Sequence, residues 1–471
     1  MRRTITALAA FVAVLVPGAA GGAESSTRYI VVLAGEQTAG GFDLAGTRAA
    51  VLALVSTAGG TVTNDLTRQI GVLVATSAST SFDETLAAST LVSSVGADFA
   101  WQGVPAVGPQ PSADPLEAIQ WDMQQIRTEQ AHAIEAGVRA VDVGVLDTGI
   151  DGRHPDFLGA DGINVDCARG RNSIAFLPTG PGAGNPDPCT DNQFHGTHVA
   201  GTIAARANGL GIVGVAPNVT LVPVKVCDST GFCYASAAVD GITYAGDQRF
   251  DVINMSFFVD DNEFQQSTEF KCMDDPVQRT FRQAVERAIQ YARNQGVTPV
   301  AALGNSDEDL AHPSEPNENN CDVVPAETQG VVGTMALGRG SEKAGYSNYG
   351  TGATDVAAPG GTANGDCTRG VPSTTPGGTY GCFQGTSMAS PHAAGVAALI
   401  VSRFGELGAD GDVKMSPQKV EDYLQSTTVD IGLPGYDECF GNGRIDALRA
   451  VRHDTSALSD PAAPHCPEYA E

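Results

Sequence analysis

The spacing of apolar and polar positions divides the chain into two folded units. Within residues 27–100, short apolar runs typical of strands alternate with helical patterns in the order β-α-β-β-α-β. The predicted strands cover residues 29–33, 60–64, 71–75 and 91–95, and the predicted helices cover residues 44–58 and 82–89. This order predicts a small α+β unit of the ferredoxin-like type, with both helices on one face of its sheet.

Residues 101–119 are rich in Pro, Gly, Ala and Gln, and we interpret them as an exposed linker. Beyond the linker, near-continuous apolar runs alternate with helical patterns. The predicted strands are 141–146, 220–226, 252–255, 298–302 and 331–335, and the predicted helices are 196–206, 235–245, 277–295 and 386–404. This alternation predicts an α/β fold with a parallel sheet and helices on both faces. Functional residues of such sheets gather at the carboxyl ends of the strands.

The first residues have the pattern of an export signal. Two arginines precede an apolar run over residues 5–16, which Pro17 ends, and small residues follow. Cleavage after residues 18–20 or after residues 21–23 is compatible with this pattern, which predicts a secretory signal peptide over residues 1–23. The run is too short to span a hydrocarbon core of ~30 Å, so we expect a secreted chain that does not enter a membrane.

Cysteine usage agrees with export. The chain has 10 cysteines and no Cys-x-x-Cys pair, which argues against a metal cluster. An exported chain stores an even number of cysteines as disulfides, but ten cysteines allow ~945 pairings, so the residues alone leave the choice open. The simplest choice joins neighbours in sequence: Cys167 with Cys189, Cys227 with Cys233, Cys272 with Cys321, Cys367 with Cys382, and Cys439 with Cys466.

Charge excludes one class of partner. The formal net charge of -27 leaves nothing to neutralise phosphates, so we expect no nucleic acid partner.

Three segments carry the side chains of nucleophilic catalysis. Asp147 ends a predicted strand, where a carboxylate can be aimed at an imidazole, and His195 opens a predicted helix. Ser387 lies at the start of another helix, whose unpaired N–H groups can stabilise an oxyanion. Each residue alone also fits a plainer role: an ordinary turn, a metal pair with His198, or an N-cap. Ser390 is the better N-cap candidate, because it precedes a proline.

The segments together resemble the subtilisin-type serine peptidases. The family motifs Asp-Thr-Gly, His-Gly-Thr-His-Val-Ala-Gly and Gly-Thr-Ser-Met-Ala-Ser-Pro-His stand at Asp147, His195 and Ser387. Their chain order Asp, His, Ser is that of this family and differs from the chymotrypsin order. Asn305, after the predicted strand 298–302, matches the family's oxyanion asparagine. The resemblance covers nearly all of residues 115–455.

The resemblance implies a subtilisin-like catalytic domain over residues 120–455 and a C-terminal tail over 456–471. It implies a serine endopeptidase that cleaves protein or peptide substrates through an acyl-enzyme. In that reaction Ser387 is the nucleophile, His195 the general base and Asp147 the residue that orients the base, while Asn305 donates to the oxyanion.

The resemblance also gives residues 27–100 a role. They are similar to the family's inhibitor-type propeptide, which acts as an intramolecular inhibitor and is removed autocatalytically within linker 101–119. We expect a monomer that needs no cofactor for catalysis. A structural calcium ion is a habit of the family, but the sequence identifies no ligands for it.

Some residues depart from the family pattern. The family usually has glycine before the histidine, so we expect the bulk of Phe194 to reshape the cleft rim. Ser256, Phe257 and Phe258 are the predicted substrate-binding residues, and we expect Phe258 to narrow the primary specificity pocket. The alternative function is a catalytically inactive subtilisin-like binding or chaperone module. A lipase is disfavoured, because Ser387 does not lie in Gly-x-Ser-x-Gly.

Overall fold

The computed structural model describes residues 26–38, 41–43, 47–102, 116–176, 187–258, 276–311, 322–409 and 411–460. The predicted signal peptide, most of the predicted linker and most of the predicted C-terminal tail lie outside these residues. Within them, no helix combines the length and the apolar character needed to cross a membrane.

The N-terminal unit is the predicted βαββαβ arrangement. Its strands are β1 (Thr27–Leu33), β2 (Gly60–Leu66), β3 (Val72–Ser77) and β4 (Val92–Ala97), and its helices are α1 (Thr47–Thr57) and α2 (Phe82–Ala87). The strands form an antiparallel sheet in the order β2-β3-β1-β4. Alternate residues of β1 point to opposite faces. Tyr29, Val31 and Leu33 pack with both helices.

The second unit begins near residue 116. Strand β5 (Ala100–Gln102) lies before it, directly after the N-terminal unit. The main strands of the second unit are β6 (Asp142–Asp147), β7 (Arg171–Asn172), β8 (Thr220–Lys225), β9 (Phe232–Tyr234), β10 (Val252–Met255), β11 (Thr298–Ala302), β12 (Val332–Leu337), β13 (Val356–Pro359), β14 (Val371–Thr375) and β15 (Thr379–Phe383). Its helices are α3 (Trp121–Gln125), α4 (Thr128–His132), α5 (His195–Ala204), α6 (Ala235–Gln248), α7 (Pro276–Asn294), α8 (Thr386–Phe404), α9 (Pro417–Ser426) and α10 (Ala447–Arg452).

A parallel sheet forms the centre of this unit, as the sequence predicts. Seven strands lie in the order β7-β8-β6-β10-β11-β12-β13. Helices α6 and α7 pack in the apolar core on one face, and α5, α8, α9 and α10 pack in the core on the other. The central strands are buried throughout, which explains their near-continuous apolar sequences.

The two units share an apolar core. Ile30, Val32 and Val72, on the sheet face opposite α1 and α2, belong to the same buried cluster as residues of α6 and α7. The Phe99 ring contacts Phe281 edge to face, with ring centroids 5.3 Å apart. β5 then pairs antiparallel with β9 of the second unit. The N-terminal sheet is therefore buried on both faces.

Disulfides join cysteines that neighbour one another in sequence. Three of the five pairs that the simplest choice gives are present: Cys167–Cys189, Cys227–Cys233 and Cys367–Cys382. Cys439 is also disulfide-bonded. Cys272, Cys321 and Cys466 lie outside the described residues, so the other two pairings stay predictions.

Candidate active site

The predicted site residues meet at one edge of the parallel sheet. Asp147 is the last residue of β6, and Ser256 directly follows β10, its neighbour in the sheet. Asn305 lies three residues after β11, the next strand along. Carboxyl ends of parallel strands lie at the same edge, which places these three residues together.

Asp147 and His195 form a buried pair. His195 Nδ1 lies 2.9 Å from both carboxylate oxygens of Asp147, and neither side chain is exposed. Because a carboxylate oxygen accepts, Nδ1 carries the hydrogen. His195 Nε2 is buried and has no hydrogen-bond partner among the described residues. The pair therefore fixes the imidazole in the tautomer whose Nε2 can accept a proton.

Asp191 holds the start of α5, which carries His195. Its Oδ1 accepts from the Phe194 N–H at 3.0 Å and from the Thr148 hydroxyl at 2.9 Å, and its Oδ2 accepts from the Thr197 N–H and hydroxyl at 3.0 and 2.7 Å. Burial raises the pKa of the Asp191 carboxyl. Thr148 directly follows Asp147, so one carboxylate ties the strand end to the helix start. Sequence reasoning missed Asp191, and its only signal is an acidic residue just ahead of a helix N-terminus.

Ser387 lies in the first turn of α8. Its Oγ donates to the Ser256 carbonyl at 3.0 Å, and the Ser256 hydroxyl donates to the Ser387 carbonyl at 2.9 Å. Pro391 lies four residues further on and has no N–H, so the helix itself cannot satisfy that carbonyl. Gly385 precedes the helix at φ +151°, a backbone conformation that L side chains rarely adopt.

Ser390 is not an N-cap, contrary to the prediction. The helix begins at Thr386, so Ser390 lies in its second turn. There the Ser390 hydroxyl donates to Asn254 Oδ1 at 2.6 Å, and Asn254 Nδ2 donates to the Ser256 hydroxyl at 2.8 Å. A proline after a serine is normally a sign of a helix start. Here Pro391 lies inside the helix, and because it has no N–H, the Ser387 carbonyl accepts from the Ser256 hydroxyl instead.

Asn305 has a fixed amide orientation. Its Oδ1 accepts from the Thr386 N–H and from the Thr386 hydroxyl, both at 2.9 Å. A backbone N–H can only donate, so the oxygen faces Thr386 and the NH₂ group points away from it. Asn305 is exposed, and its Nδ2 lies 3.9 Å from the point where a Cβ on Gly385 would stand. The amide donor therefore lies beside the turn that carries Ser387.

Comparisons with known proteins agree with this geometry. The model of the subtilase family matches residues 139–443. Subtilisin E of Bacillus subtilis (strain 168) is 32% identical over 338 residues, which are 71% of this chain and 72% of that protein. The subtilisin of Bacillus pumilus is 32% identical over 338 residues, which are 71% of this chain and 100% of that protein.

The chain belongs to the subtilase family. It is accordingly a subtilisin-like serine endopeptidase that acts on protein or peptide substrates. Among solved structures, the epidermin leader peptide processing serine protease from Staphylococcus aureus has the same fold. The TM-score is 0.68 at 22% identity, over 91% of this chain and 98% of that chain.

The aromatic residues that distinguish this subtilase lie in different places. The Phe194 ring is buried behind the site with Trp121, Phe383 and Met388, so it does not shape the cleft rim as expected. Phe257 is also buried, in the core that includes the N-terminal sheet. Phe258 is half-buried, and its ring lies 3.7 Å from the point where a Cβ on Gly304 would stand. The substrate-binding roles of Phe257 and Phe258 stay predictions.

Two further histidines of the subtilase are buried near the site. His198 donates through Nε2 to the Val371 carbonyl at 3.1 Å, and burial, together with the nearby His195, lowers its pKa to about 3. His392 bonds Asp122 Oδ2 through Nε2 at 3.1 Å and the Met388 carbonyl through Nδ1 at 2.8 Å. The Met388 carbonyl can only accept, so Nδ1 of His392 donates to it. Sequence reasoning missed this second Asp–His pair.

Proposed function

We propose that this subtilase is a secreted endopeptidase that hydrolyses peptide bonds through an acyl-enzyme and is made as an autoprocessed zymogen. One observation carries the proposal: Asp147 fixes the tautomer of a buried histidine whose Nε2 has no partner among the described residues, at the sheet edge where Ser387 lies in the first turn of α8. This is the constellation that acyl transfer requires.

In the proposed reaction His195 Nε2 takes the proton of the Ser387 hydroxyl as its oxygen attacks the peptide carbonyl. The hydroxyl must first leave the Ser256 carbonyl, to which it donates in this structure. His195 then gives the proton to the leaving amine, which departs and leaves Ser387 acylated. A water molecule, activated in turn by His195, hydrolyses the ester. Asp147 stabilises the imidazolium throughout and does not itself become protonated.

The oxyanion of each tetrahedral intermediate is assigned to two donors. One is Asn305 Nδ2. Because Asn305 Oδ1 accepts both hydrogen bonds from Thr386, the Nδ2 group points away from Thr386. The other is the N–H of Ser387 at the start of α8, where the helix dipole adds a favourable potential. Removing one donor of this kind costs ~100- to 1000-fold in rate.

The zymogen part of the proposal rests on the path of the chain. β5 leaves the N-terminal unit and pairs with β9, which follows Val226 and Cys227. The N–H groups of those two residues donate to the carbonyl of Asp147, so β5 runs beside the candidate catalytic edge. A chain that lies there excludes other peptides, and β5 contains the first two residues of the predicted processing linker 101–119.

Secretion is supported by the predicted signal peptide and by the disulfides. The proposal needs no metal for any step. Structural calcium stays a prediction. Among the residues that the structure describes, no group of three or more His, Cys, Asp or Glu side chains is placed to hold a metal ion.

Intact mass after expression in an oxidising compartment tests the proposal. Wild type should yield a product that begins between residues 102 and 121, whereas Ser387→Ala should keep the N-terminal unit attached. Ser426→Ala, a change at an exposed serine, should be processed like wild type. Processing of Ser387→Ala would assign the cut to a host peptidase. A wild type that is not processed and hydrolyses no peptide would favour the inactive binding or chaperone module instead.

A further inference from the structure

Phe194 has a backbone conformation that residues other than glycine rarely adopt. It directly precedes His195, the first residue of α5, and its φ is +146°. Glycine, which the family usually has at this position, adopts such a φ without strain because it has no Cβ. A phenylalanine keeps it only where its surroundings hold it there, and strained backbone of this kind is concentrated at functional sites.

Hydrogen bonds hold the main chain of Phe194 on both sides. Its N–H donates to Asp191 Oδ1 at 3.0 Å, and its carbonyl accepts from the His198 N–H at 3.1 Å, in the first turn of α5. Both bonds use main-chain atoms of Phe194, so any residue except proline could form them at this position. The feature that is particular to phenylalanine is its ring.

The Phe194 ring is packed in a small cluster of buried side chains. The other members of this cluster are Trp121, Val371, Phe383 and Met388. The ring centroids of Phe194 and Phe383 are 5.0 Å apart, and the Trp121 indole N–H donates to the Gly370 carbonyl at 2.9 Å, which holds the indole in turn. Rings in a close-packed interior have little room to move, so the cluster fixes the side chain of Phe194 and, through it, the main chain.

The same cluster extends to the candidate nucleophile. Met388 directly follows Ser387 in the first turn of α8, just as Phe194 directly precedes His195. One packed cluster therefore contains a neighbour of the general base and a neighbour of the nucleophile. A misplacement of ~1 Å between reacting groups costs ~100-fold in rate, so the packing of this cluster bears directly on the reaction.

We propose that the buried ring of Phe194 holds the main chain ahead of His195 at its strained φ and thereby sets the position of His195 relative to Ser387. This inference rests on the proposed function, in which His195 is the general base, and adds a positioning residue to it. Phe194 acts through His195 and takes no part in the proton transfers. Packing supplies in this chain what conformational freedom supplies where the residue is glycine.

Alanine and glycine at position 194 distinguish this role from plain packing. Both remove the ring, but alanine keeps the Cβ that makes a positive φ costly, and glycine does not. With a peptide anilide, kcat of processed Phe194→Ala should fall about 100-fold and that of Phe194→Gly by no more than about tenfold, while KM stays within about twofold of wild type. Plain packing predicts the opposite order, because glycine leaves the larger cavity and the more flexible main chain.

Phe250→Ala is the matched control. Phe250 is another buried phenylalanine of the second unit, but it lies just before β10, at the opposite edge of the sheet from the site. This variant should lose stability in urea unfolding, measured with Ser387→Ala, and keep kcat within about twofold of wild type. If its kcat fell as far as that of Phe194→Ala, destabilisation alone would account for the loss and the inference would be wrong.

The position of His195 can also be measured without catalysis, in the full chain with Ser387→Ala. NMR of the imidazole detects the Nδ1 hydrogen that bonds Asp147. Its signal should persist with Phe194→Gly and broaden or disappear with Phe194→Ala. If Phe194→Ala does not fold, Phe194→Leu replaces it, because leucine keeps the Cβ and much of the apolar volume but not the ring. Its kcat should fall at least about tenfold at little changed KM.

Three results would overturn the inference. They are equal kcat for the alanine and glycine variants, a kcat of Phe194→Leu equal to that of wild type, and a rise in KM at unchanged kcat, since the ring would then act on substrate binding. Anilide hydrolysis by wild type but not by Ser387→Ala would leave the proposed function intact in each case. Absence of anilide hydrolysis in processed wild type would overturn both.

Discussion

Ser256 and Ser387, 131 residues apart in sequence, exchange two hydrogen bonds: each hydroxyl donates to the other residue's carbonyl. Pro391 is the cause, because it removes the helix N–H that would otherwise bond the Ser387 carbonyl. The candidate nucleophile is thus held by the strand end of β10 as well as by its own helix. Its hydroxyl is engaged in this state and must turn toward His195 to react.

Ser256→Ala should destabilise the protein and slow the reaction. The change leaves the buried Ser387 carbonyl and the Asn254 amide without their hydroxyl partner, which costs about 1–3 kcal/mol. Urea unfolding in a Ser387→Ala background, where self-cleavage is absent, measures the loss. Ser426→Ala, at an exposed position, should change stability by less than about 0.5 kcal/mol. Equal stability of the two variants would show that the Ser387 carbonyl finds another donor.

Asn305→Asp should remove oxyanion stabilisation while it keeps the shape of the side chain. The oxygen that accepts from Thr386 is retained, but the donor NH₂ becomes a second acceptor. We expect kcat to fall by ~100- to 1000-fold and KM to change little, because the lost interaction forms only in the transition state. Steady-state kinetics on a peptide anilide decide the point. A loss below about tenfold would assign the oxyanion donor elsewhere.

Asp251→Asn should stabilise the protein at alkaline pH. Burial first, and then repulsion from Asp412 and Asp142, raises the pKa of Asp251 to about 8. The folded state therefore binds the proton more tightly than the unfolded state, whose carboxyl titrates near 4. Stability from this group is present below about pH 4 and is lost as the pH rises to about 8, with a slope of up to about 1.4 kcal/mol per pH unit.

The measurement for Asp251 is urea unfolding at pH 5 and at pH 9, again with Ser387→Ala. Asparagine can still accept from the Asp142 N–H, which Asp251 Oδ2 does at 2.8 Å. Relative to Ser387→Ala alone, the free energy of unfolding of the Asp251→Asn variant should therefore increase from pH 5 to pH 9. That of Asp422→Asn, at an exposed position, should not. The same gain in both variants would point to a general charge effect of this acidic chain.

Asp122→Ala should be the most damaging of these changes to stability. It leaves His392 buried with one ring nitrogen unpaired, and removal of one partner from a buried pair costs about 3–5 kcal/mol. Glu129→Ala, which removes an exposed carboxylate a few residues away, is the matched control and should cost less than about 0.5 kcal/mol. A loss below about 1 kcal/mol for Asp122→Ala would mean that His392 needs no acidic partner.

Local pattern predicts most of the elements. The bounds of β10, β11 and α8 agree with the prediction to the residue, since long buried runs have a clear period and clear ends. The edge strand β7 was not predicted, because its two residues carry no apolar run. The strand prediction also omits β13, a strand of only four residues.

Local sequence patterns do not show which residues far apart in the chain contact one another. Asp122 and His392 are 270 residues apart, and nothing near either residue indicates the other. Asp191 bonds side chains on both sides of the site, but its own segment looks like an ordinary loop. Phe194 shows the same limit in packing, because a bulky residue before His195 can point to the cleft or to the core. Only the fold decides between these two positions, and in this structure the Phe194 ring lies in the core.

Because the two units share a core, cleavage of the linker and loss of the N-terminal unit are separate events, although zymogen activation is often assumed to combine them. Ile30, Val32 and Val72 are covered by α6 and α7, and this contact does not depend on the continuity of the chain beyond β5. Cutting the linker would remove a tether but no buried surface. The cut chain would then remain a complex of enzyme and bound fragment. Its onset of activity would be timed by the unfolding or digestion of that fragment rather than by the cleavage itself.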